Sequence, residues 1–368
     1  MTPRLAILGT RGVPATHGGF ETLAHHLSLH LVERGWDVTV YCQAEGRGHA
    51  TEDTWHGVHR VTIPTPYAGA LGTIHFDWRS VIHAARRDAI ALVLGYNTAA
   101  FLPVLRAASR HVVLNMDGIE WRRGKWSPTA RVWLRANERI GATLAHALIA
   151  DHPEIERHIK TFAPARKITT ITYGANRIDD APLGPVRAAG LEPGRYFLIV
   201  ARVEPENSVL SIVRSFSRRP RGVHLAVVGP VMPESQPYHA AVVEAASAEV
   251  HFLGPVYDPT VIAALRFHAH AYVHGHTVGG TNPSLVEALG AGNAVIAHAN
   301  PFNRWVARDA AHYFADENEL DGAFAAVTTD DAALTAMRLA ARERFREAFT
   351  WPAVLERYEQ VLHAGSRP

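Results

Sequence analysis

Residues 274–292 read HGHTVGGTNPSLVEALGAG, and the order of features in this stretch is what decides the fold. An apolar strand from Ala269 to Val273 runs into a loop carrying Gly275, Gly279 and Gly280. A helix then opens with Asn282 as N-cap and Pro283 in its first position. Strand, glycine-rich loop and helix in direct succession form the turn of a parallel α/β unit. The same turn suits an anion, because amides at a helix N-terminus and the positive end of its dipole stabilise phosphate, and glycines let the backbone approach. About one helical turn later, Glu287 is placed to accept hydrogen bonds from hydroxyls, and phosphate followed by a diol reads as a nucleotide. The competing reading is a capped helix with a solvated glutamate.

Outward from this stretch the same grammar repeats. Strands are expected at YFLIVAR (196–202), VHLAVVG (223–229), EVHFLG (249–254), AHAYVH (269–274) and NAVIA (293–297), with helices between them. The first half begins with RLAILGT (4–10), the loop RGVPATHGG, a helix from about Phe20 to Glu33 ended by Gly35, and the strand DVTVYC (37–42). Further strands follow near 58–63, 91–95, 111–116, 147–150 and 167–172. Gly12, Gly18 and Gly19 in the first loop do not have dinucleotide-fingerprint spacing and read equally well as a flexible loop. Residues 173–194 are rich in Gly and Pro and are the expected linker, and a last helix begins near Trp351.

A length of 368 residues suits two α/β domains, and 37 Lys+Arg against 35 Asp+Glu disfavours a nucleic-acid partner. The single Cys42 excludes an internal disulfide and reads as a small core residue. The start, MTPRLAILGT, lacks a signal-peptide core, so a cytoplasmic location is expected. No run approaches the roughly 18 apolar residues of a membrane span, so any contact with the inner face of the membrane would be peripheral. His268, His270, His274 and His276 alternate, but with no cysteine or spaced acid beside them they are not read as a metal site, and His274 and His276 are expected to line the loop.

NMDGIEWRRGKW (115–126) leaves a buried strand and presents charge and indole together. It reads either as a solvated turn over tucked tryptophans or as a functional loop. In the functional reading Asp117 contacts the reacting sugar, and Glu120, Trp121, Arg122, Arg123, Lys125 and Trp126 face an acceptor or a membrane surface. Arg202 closes YFLIVAR and suits a diphosphate through its forked donors, with an ion pair to Glu204 or Glu206 as the alternative.

Taken together, GTRGVPATHGGFE (9–21), ARVEPEN (201–207) and GGTNPSLVEALGAG with PFNRWVARDAAHYF (279–292 and 301–314) resemble the family 4 retaining glycosyltransferases over nearly the whole chain. The wording GTRGVP, GGFET, DGIEW and GGTNPSLVEA is similar to the bacterial rhamnosyltransferase-type subgroup. The resemblance implies the α/β GT-B fold, two Rossmann-like domains with a cleft between them and a C-terminal helix returning to the first. It implies an acceptor-side domain at 1–180, a donor domain at 181–350 and the returning helix at 351–368.

It further implies that Glu287 holds the nucleotide ribose, that Gly279, Gly280 and the loop Thr281, Asn282, Pro283, Ser284 and Leu285 surround the diphosphate, and that Arg202 binds phosphate. Gly12, Gly18 and Gly19 would lie beside the donor phosphates. Asp117 stands where many relatives have a histidine near the sugar. Two departures mark an altered donor site: Gly279 replaces a family glutamate eight residues before Glu287, and Pro205, Glu206 and Asn207 stand where a lysine is common. The expected activity is metal-independent and without cofactor: transfer of a sugar, L-rhamnose from dTDP-β-L-rhamnose, to a glycan or lipid-linked acceptor in cell-surface polysaccharide synthesis. A UDP- or GDP-hexose donor and a non-catalytic sugar-nucleotide-binding subunit are the alternatives.

Overall fold

A computed structural model describes residues 2–16 and 18–365. The chain forms two compact units, one of residues Met1–Tyr173 with Trp351–Pro368 and one of Gly174–Thr350.

The first unit holds an eight-stranded sheet in the order β3-β4-β2-β1-β5-β6-β7-β8. Its strands are β1 (Arg4–Leu8), β2 (Asp37–Glu45), β3 (Thr51–Trp55), β4 (Val58–Thr65), β5 (Ile90–Leu94), β6 (Val112–Asn115), β7 (Ala147–Ala150) and β8 (Ile168–Thr170). Its helices are α1 (Gly19–Glu33), α2 (Gly69–Ala85), α3 (Leu102–Ala107), α4 (Pro128–Leu144), α5 (Pro153–Ile159) and, after the whole second unit, α14 (Trp351–Gly365). Strands β5 and β6 are buried at every position, the uninterrupted apolar text expected of parallel strands covered on both faces.

The sequence reading missed β3, which pairs antiparallel with β4 through the turn His56–Gly57, both at positive φ. An edge strand exposed on most positions has no apolar period to detect. Its charges identify it only once paired: Asp53 lies opposite Arg60, and Arg60 Nη2 donates to Asp53 Oδ2 at 2.6 Å.

The second unit has a six-stranded, all-parallel sheet in the order β11-β10-β9-β12-β13-β14. These are β9 (Tyr196–Val200), β10 (His224–Val228), β11 (Val250–Gly254), β12 (Ala271–His274), β13 (Val295–His298) and β14 (Ala311–Phe314), the last not among the expected strands. The helices are α6 (Gly184–Ala188), α7 (Val209–Ser217), α8 (Pro237–Glu244), α9 (Pro259–Phe267), α10 (Pro283–Gly290), α11 (Pro301–Ala307), α12 (Glu317–Thr329) and α13 (Asp331–Ala348).

Two expectations about the connection change. The division falls between Tyr173 and Gly174, ahead of the expected break after residue 180. The turn-rich stretch 173–194 is also no free linker: the Ala175 and Ile178 amides donate to Phe349 O and Gly290 O, and Ala181, Val186 and Leu191 are buried in the second unit's core. Proline and glycine there shape a strap rather than a flexible tether.

Helix α14 belongs to the first unit, and the last three residues of its expected span, 366–368, lie outside the described residues. Trp351, Val354, Leu355, Tyr358 and Leu362 enter the core beneath β1, β2 and β5. The buried Glu359 accepts from Trp36 Nε1 at 3.3 Å and pairs with His30 and Arg34 at 3.3 and 3.2 Å. No described helix is long and apolar enough to cross a membrane.

Candidate functional site

Parallel sheets expose ligand-binding loops at the carboxyl ends of their strands, and the predicted residues lie on such loops in both units. In the second unit, the loop after β9 and the loop after β12 are joined. The amide and hydroxyl of Thr277 both donate to Glu206 O, at 2.9 and 3.0 Å. A Cβ on Gly275 would meet Asn207 O at 2.3 Å, so only glycine permits this approach. Asn207, itself buried, donates from Nδ2 to Arg202 O at 2.8 Å. Arg202 is thereby anchored by its backbone beside the glycine loop while its side chain remains more than half exposed, 3.1 Å from Glu204 Oε1. The ion pair named as the alternative is present; a surface contact of this kind contributes little and yields readily to a phosphate.

Helix α10 begins as the sequence indicated: Asn282 is its N-cap and Pro283 its first residue. The expected ring of amides from Thr281 to Leu285 is nevertheless largely committed within the chain. Asn282 Oδ1 accepts from Ser284 N and Oγ at 3.1 and 2.9 Å, the Leu285 amide donates to Asn282 O, and Pro283 has no N–H. What the turn offers an anion is the helix dipole and the backbone ahead of the cap, at Gly279 and Gly280. Gly279 has φ +138 and no atom within 4 Å of a would-be Cβ. The missing family glutamate therefore coincides with a backbone conformation that side-chain-bearing residues rarely adopt, and with open space beside it.

Glu287 differs from expectation in one respect. Its Oε2 makes a short ion pair with Nη2 of Arg266, at the end of α9, whose side chain is only 7% exposed. A capped helix with a solvated glutamate is excluded, because Glu287 balances a buried cation. Replacing Glu287 would leave Arg266 buried without that partner.

The four histidines do not converge. His268 and His270 are committed to Ala181 O and Val327 O at 2.9 and 3.0 Å, whereas His274 and His276 stack face to face at 4.3 Å. Among the described residues no group of three or more His, Cys, Asp or Glu is arranged to hold a metal. His274 does not line the loop as expected. It is fully buried in β12, neither ring nitrogen has a hydrogen-bond partner, and burial, then His276 and His298, holds it neutral well below the usual imidazole range. The sequence reading also passed over Asn300 and Asn303, whose side-chain amides both donate to His276 O and so fix the glycine loop from the β13 side. Their only signal was the N-P-F-N wording at the start of α11.

In the first unit, Gly12 has φ +121, and a Cβ there would lie 2.6 Å from Cys42 Sγ, so its loop packs directly on β2. Cys42 is buried, and burial raises its thiol pKa, in keeping with a core residue. Gly18 is the N-cap of α1, with φ +98 and no side-chain cap. Glu21, in the first turn, accepts from the Arg11 amide at 3.0 Å and occupies the place a Gly18 side chain would need. Gly19 opens the helix.

Asp117 follows β6 at φ +53, with its amide donating to Asn115 Oδ1 at 2.9 Å. Asn115 Nδ2 in turn donates to Tyr358 OH at 2.7 Å, so α14 helps set this loop. Burial first, then the neighbouring Glu120, pushes the Asp117 carboxyl up to about 6. Asp117 thus combines a left-handed turn at a strand end with a carboxyl raised by burial and by Glu120.

The rest of the loop is corrected from an outward-facing acceptor surface to a largely self-contained network. Buried Glu120 accepts from Arg123 Nη1 at 2.8 Å and Trp126 Nε1 at 3.3 Å, and its amide donates to Tyr96 OH. Trp121 Nε1 donates to the buried Glu138 at 3.2 Å. Both indoles are half-buried; Arg122 and Lys125, stacked on Trp121 and Trp126, are the residues that face solvent.

Two Rossmann-like units carrying loops of this kind define the GT-B class of fold. Solved structures with this architecture match nearly end to end. Sucrose-phosphate synthase from Thermosynechococcus elongatus has a TM-score of 0.82 at 17% identity, covering 98% of each chain. HepE of Anabaena, in complex with UDP and glucose, gives 0.76 at 15% over 99% of this chain and 100% of that one. A UDP-forming α,α-trehalose-phosphate synthase from Burkholderia vietnamiensis gives 0.76 at 11% over the same shares. Residues 3–176 match a family described as a domain of unknown function, DUF1972. A comparison with curated proteins gives no match.

Proposed function

We propose that this protein is a retaining, metal-independent glycosyltransferase that takes a sugar from a nucleotide diphosphate. The observation that carries the reading is in the second unit, where Arg202 is held against the glycine loop 275–281 by Asn207, Glu206 and Thr277, with Glu287 one turn into the helix that follows. Arg202 and the dipole of α10 would stabilise the departing diphosphate, an electrostatic contribution that is often dominant in such chemistry. The Glu287 oxygen not bound to Arg266 would receive a ribose hydroxyl, and distant binding of this kind positions the reacting carbon. The bond from the sugar's anomeric carbon to the diphosphate oxygen breaks, one to the acceptor oxygen forms, and the acceptor's hydroxyl proton passes to the departing diphosphate.

We assign Asp117 to the reacting sugar, and the acceptor to a glycan or a lipid-linked glycan in cell-surface polysaccharide synthesis in the cytoplasm. L-Rhamnose from dTDP-β-L-rhamnose is our preferred donor, supported by open space and glycine backbone at Gly279 where a glutamate would contact a hexose. UDP-hexose is the competing donor, favoured by the UDP-glucose bound to HepE. Turnover of dTDP-rhamnose, UDP-glucose and GDP-mannose with and without acceptor separates the readings. Faster use of dTDP-rhamnose is expected, preference for UDP-glucose would transfer the assignment to a hexose, and nucleotide binding without any product would identify a non-catalytic subunit.

A further inference from the structure

Helix α2 has two apolar faces. Phe76, Val81 and Ala84 point into the core, whereas Leu71, Ile74 and Trp78, at helical spacing on the other side, are 66%, 37% and 42% exposed. With Tyr67, His75 and Phe101 these three line an open apolar groove of about 630 Å³. The walls are braced, with the Trp78 ring edge-on to Phe101 at 5.2 Å and Tyr67 edge-on to His75 at 5.5 Å. Trp133 on α4, also exposed, reaches the same segment by donating from Nε1 to Asn97 O at 3.0 Å. Tyr67 follows β4 and Phe101 follows the loop after β5, so the pocket opens at the ligand-binding edge of the sheet.

The surroundings specify the charge of an occupant. The one carboxylate of α2, Asp77, is buried and accepts from Thr98, and the one carboxylate of α4, Glu138, is buried too. Arg79 and Arg86 line the hollow on the other side of Trp78, with Arg79 Nη1 donating to Gly48 O and Pro64 O, and on α4 Arg131 and Arg135 are exposed, the first donating to Arg123 O and the second stacked on Trp121. An apolar groove that shares Trp78 with an arginine-lined hollow, on two helices showing no outward carboxylate, complements a hydrocarbon chain with an anionic head.

We propose that this pocket seats the hydrocarbon chain of a phosphate-headed lipid, with the head among the arginines of α2 and α4. The proposal deepens the acceptor half of the transferase reading, and it rests on that reading for the lipid's role as acceptor. Calorimetric titration of the full chain with octyl and decyl phosphate, below their micelle concentrations, tests it. Binding should tighten about fourfold for each added methylene. It should weaken at least tenfold in Leu71→Gln/Ile74→Gln and stay unchanged in Tyr257→Gln, an exposed site on the second unit.

Titration of the same preparations with nucleotide distinguishes the two readings, because alkyl phosphate binding without nucleotide binding would leave the pocket standing and remove the transferase. The proposal is overturned if the alkyl phosphates do not bind, if affinity ignores chain length, or if the double substitution leaves it intact. Two further results would also overturn it: binding to anionic vesicles without binding of soluble alkyl phosphate, which identifies a bilayer surface, and self-association abolished by the same substitutions, which identifies a second copy of the chain.

Discussion

Replacing Glu287 by Gln removes one charge and almost no volume, and the structure gives this change two separable consequences. Arg266, 7% exposed, would lose the carboxylate that balances it. A buried charge left without its partner costs several kcal/mol, and because Glu287 is itself about one-third exposed, water recovers part of that. We expect about 2–3 kcal/mol. For a unit of this size, that lowers the melting temperature of the ligand-free second unit by roughly 4–12 °C. Arg266→Met/Glu287→Gln, which removes the cation as well, should recover about 1–2 kcal/mol relative to Glu287→Gln alone. If the free carboxylate oxygen also receives the ribose, Glu287→Gln loses a further 1.5–3 kcal/mol or so of donor binding, whereas Arg266→Met keeps the carboxylate and most of the affinity. Calorimetric melting of wild type and the three variants, followed by nucleotide titration of each below its transition, measures both terms. A ligand-free Glu287→Gln protein melting like wild type would refute the buried-pair argument, and unchanged nucleotide affinity in a folded variant would remove Glu287 from the donor site.

The Asp117 carboxyl is raised to about 6 against an ordinary 3.8, so the folded state binds its proton more tightly than the unfolded chain. Its contribution is fully present below about pH 4 and is lost as pH rises through 6. Asp117→Asn, which also tolerates the left-handed turn, should therefore stabilise the protein above pH 6 and change little at pH 4, while abolishing the turnover limb that titrates near 6; a pH-independent stability difference would contradict this. Gly12 and Gly46 have nearly equal φ, +121 and +118, but only Gly12 would drive a Cβ into Cys42. Gly12→Ala should cost about 1–3 kcal/mol more than Gly46→Ala in denaturant unfolding, and equal losses would show that the loop gives way.

The sequence determined the elements that bury continuous apolar text or carry local capping chemistry. Strands such as β5, β6, β9 and β10, and the start of α10 at Asn282 and Pro283, follow from side-chain period and turn residues, which act over a few neighbours. The doubled α/β pattern and the start of the last helix near Trp351 were legible for the same reason. Tertiary structure decided whatever depends on partners distant in the chain. The polar edge strand β3 exists because Asp53 and its neighbours meet β4, and the turn-rich stretch 173–194 became a strap because its amides found Gly290 and Phe349. Glu287 acquired Arg266, Glu120 took up the indole and guanidinium that sequence had assigned to an acceptor, and His274 was buried without a hydrogen-bond partner for either ring nitrogen. In each case the residue type announced a polar group, but whether that group faces ligand or balances another buried charge is set by desolvation in the packed fold, which local sequence does not encode.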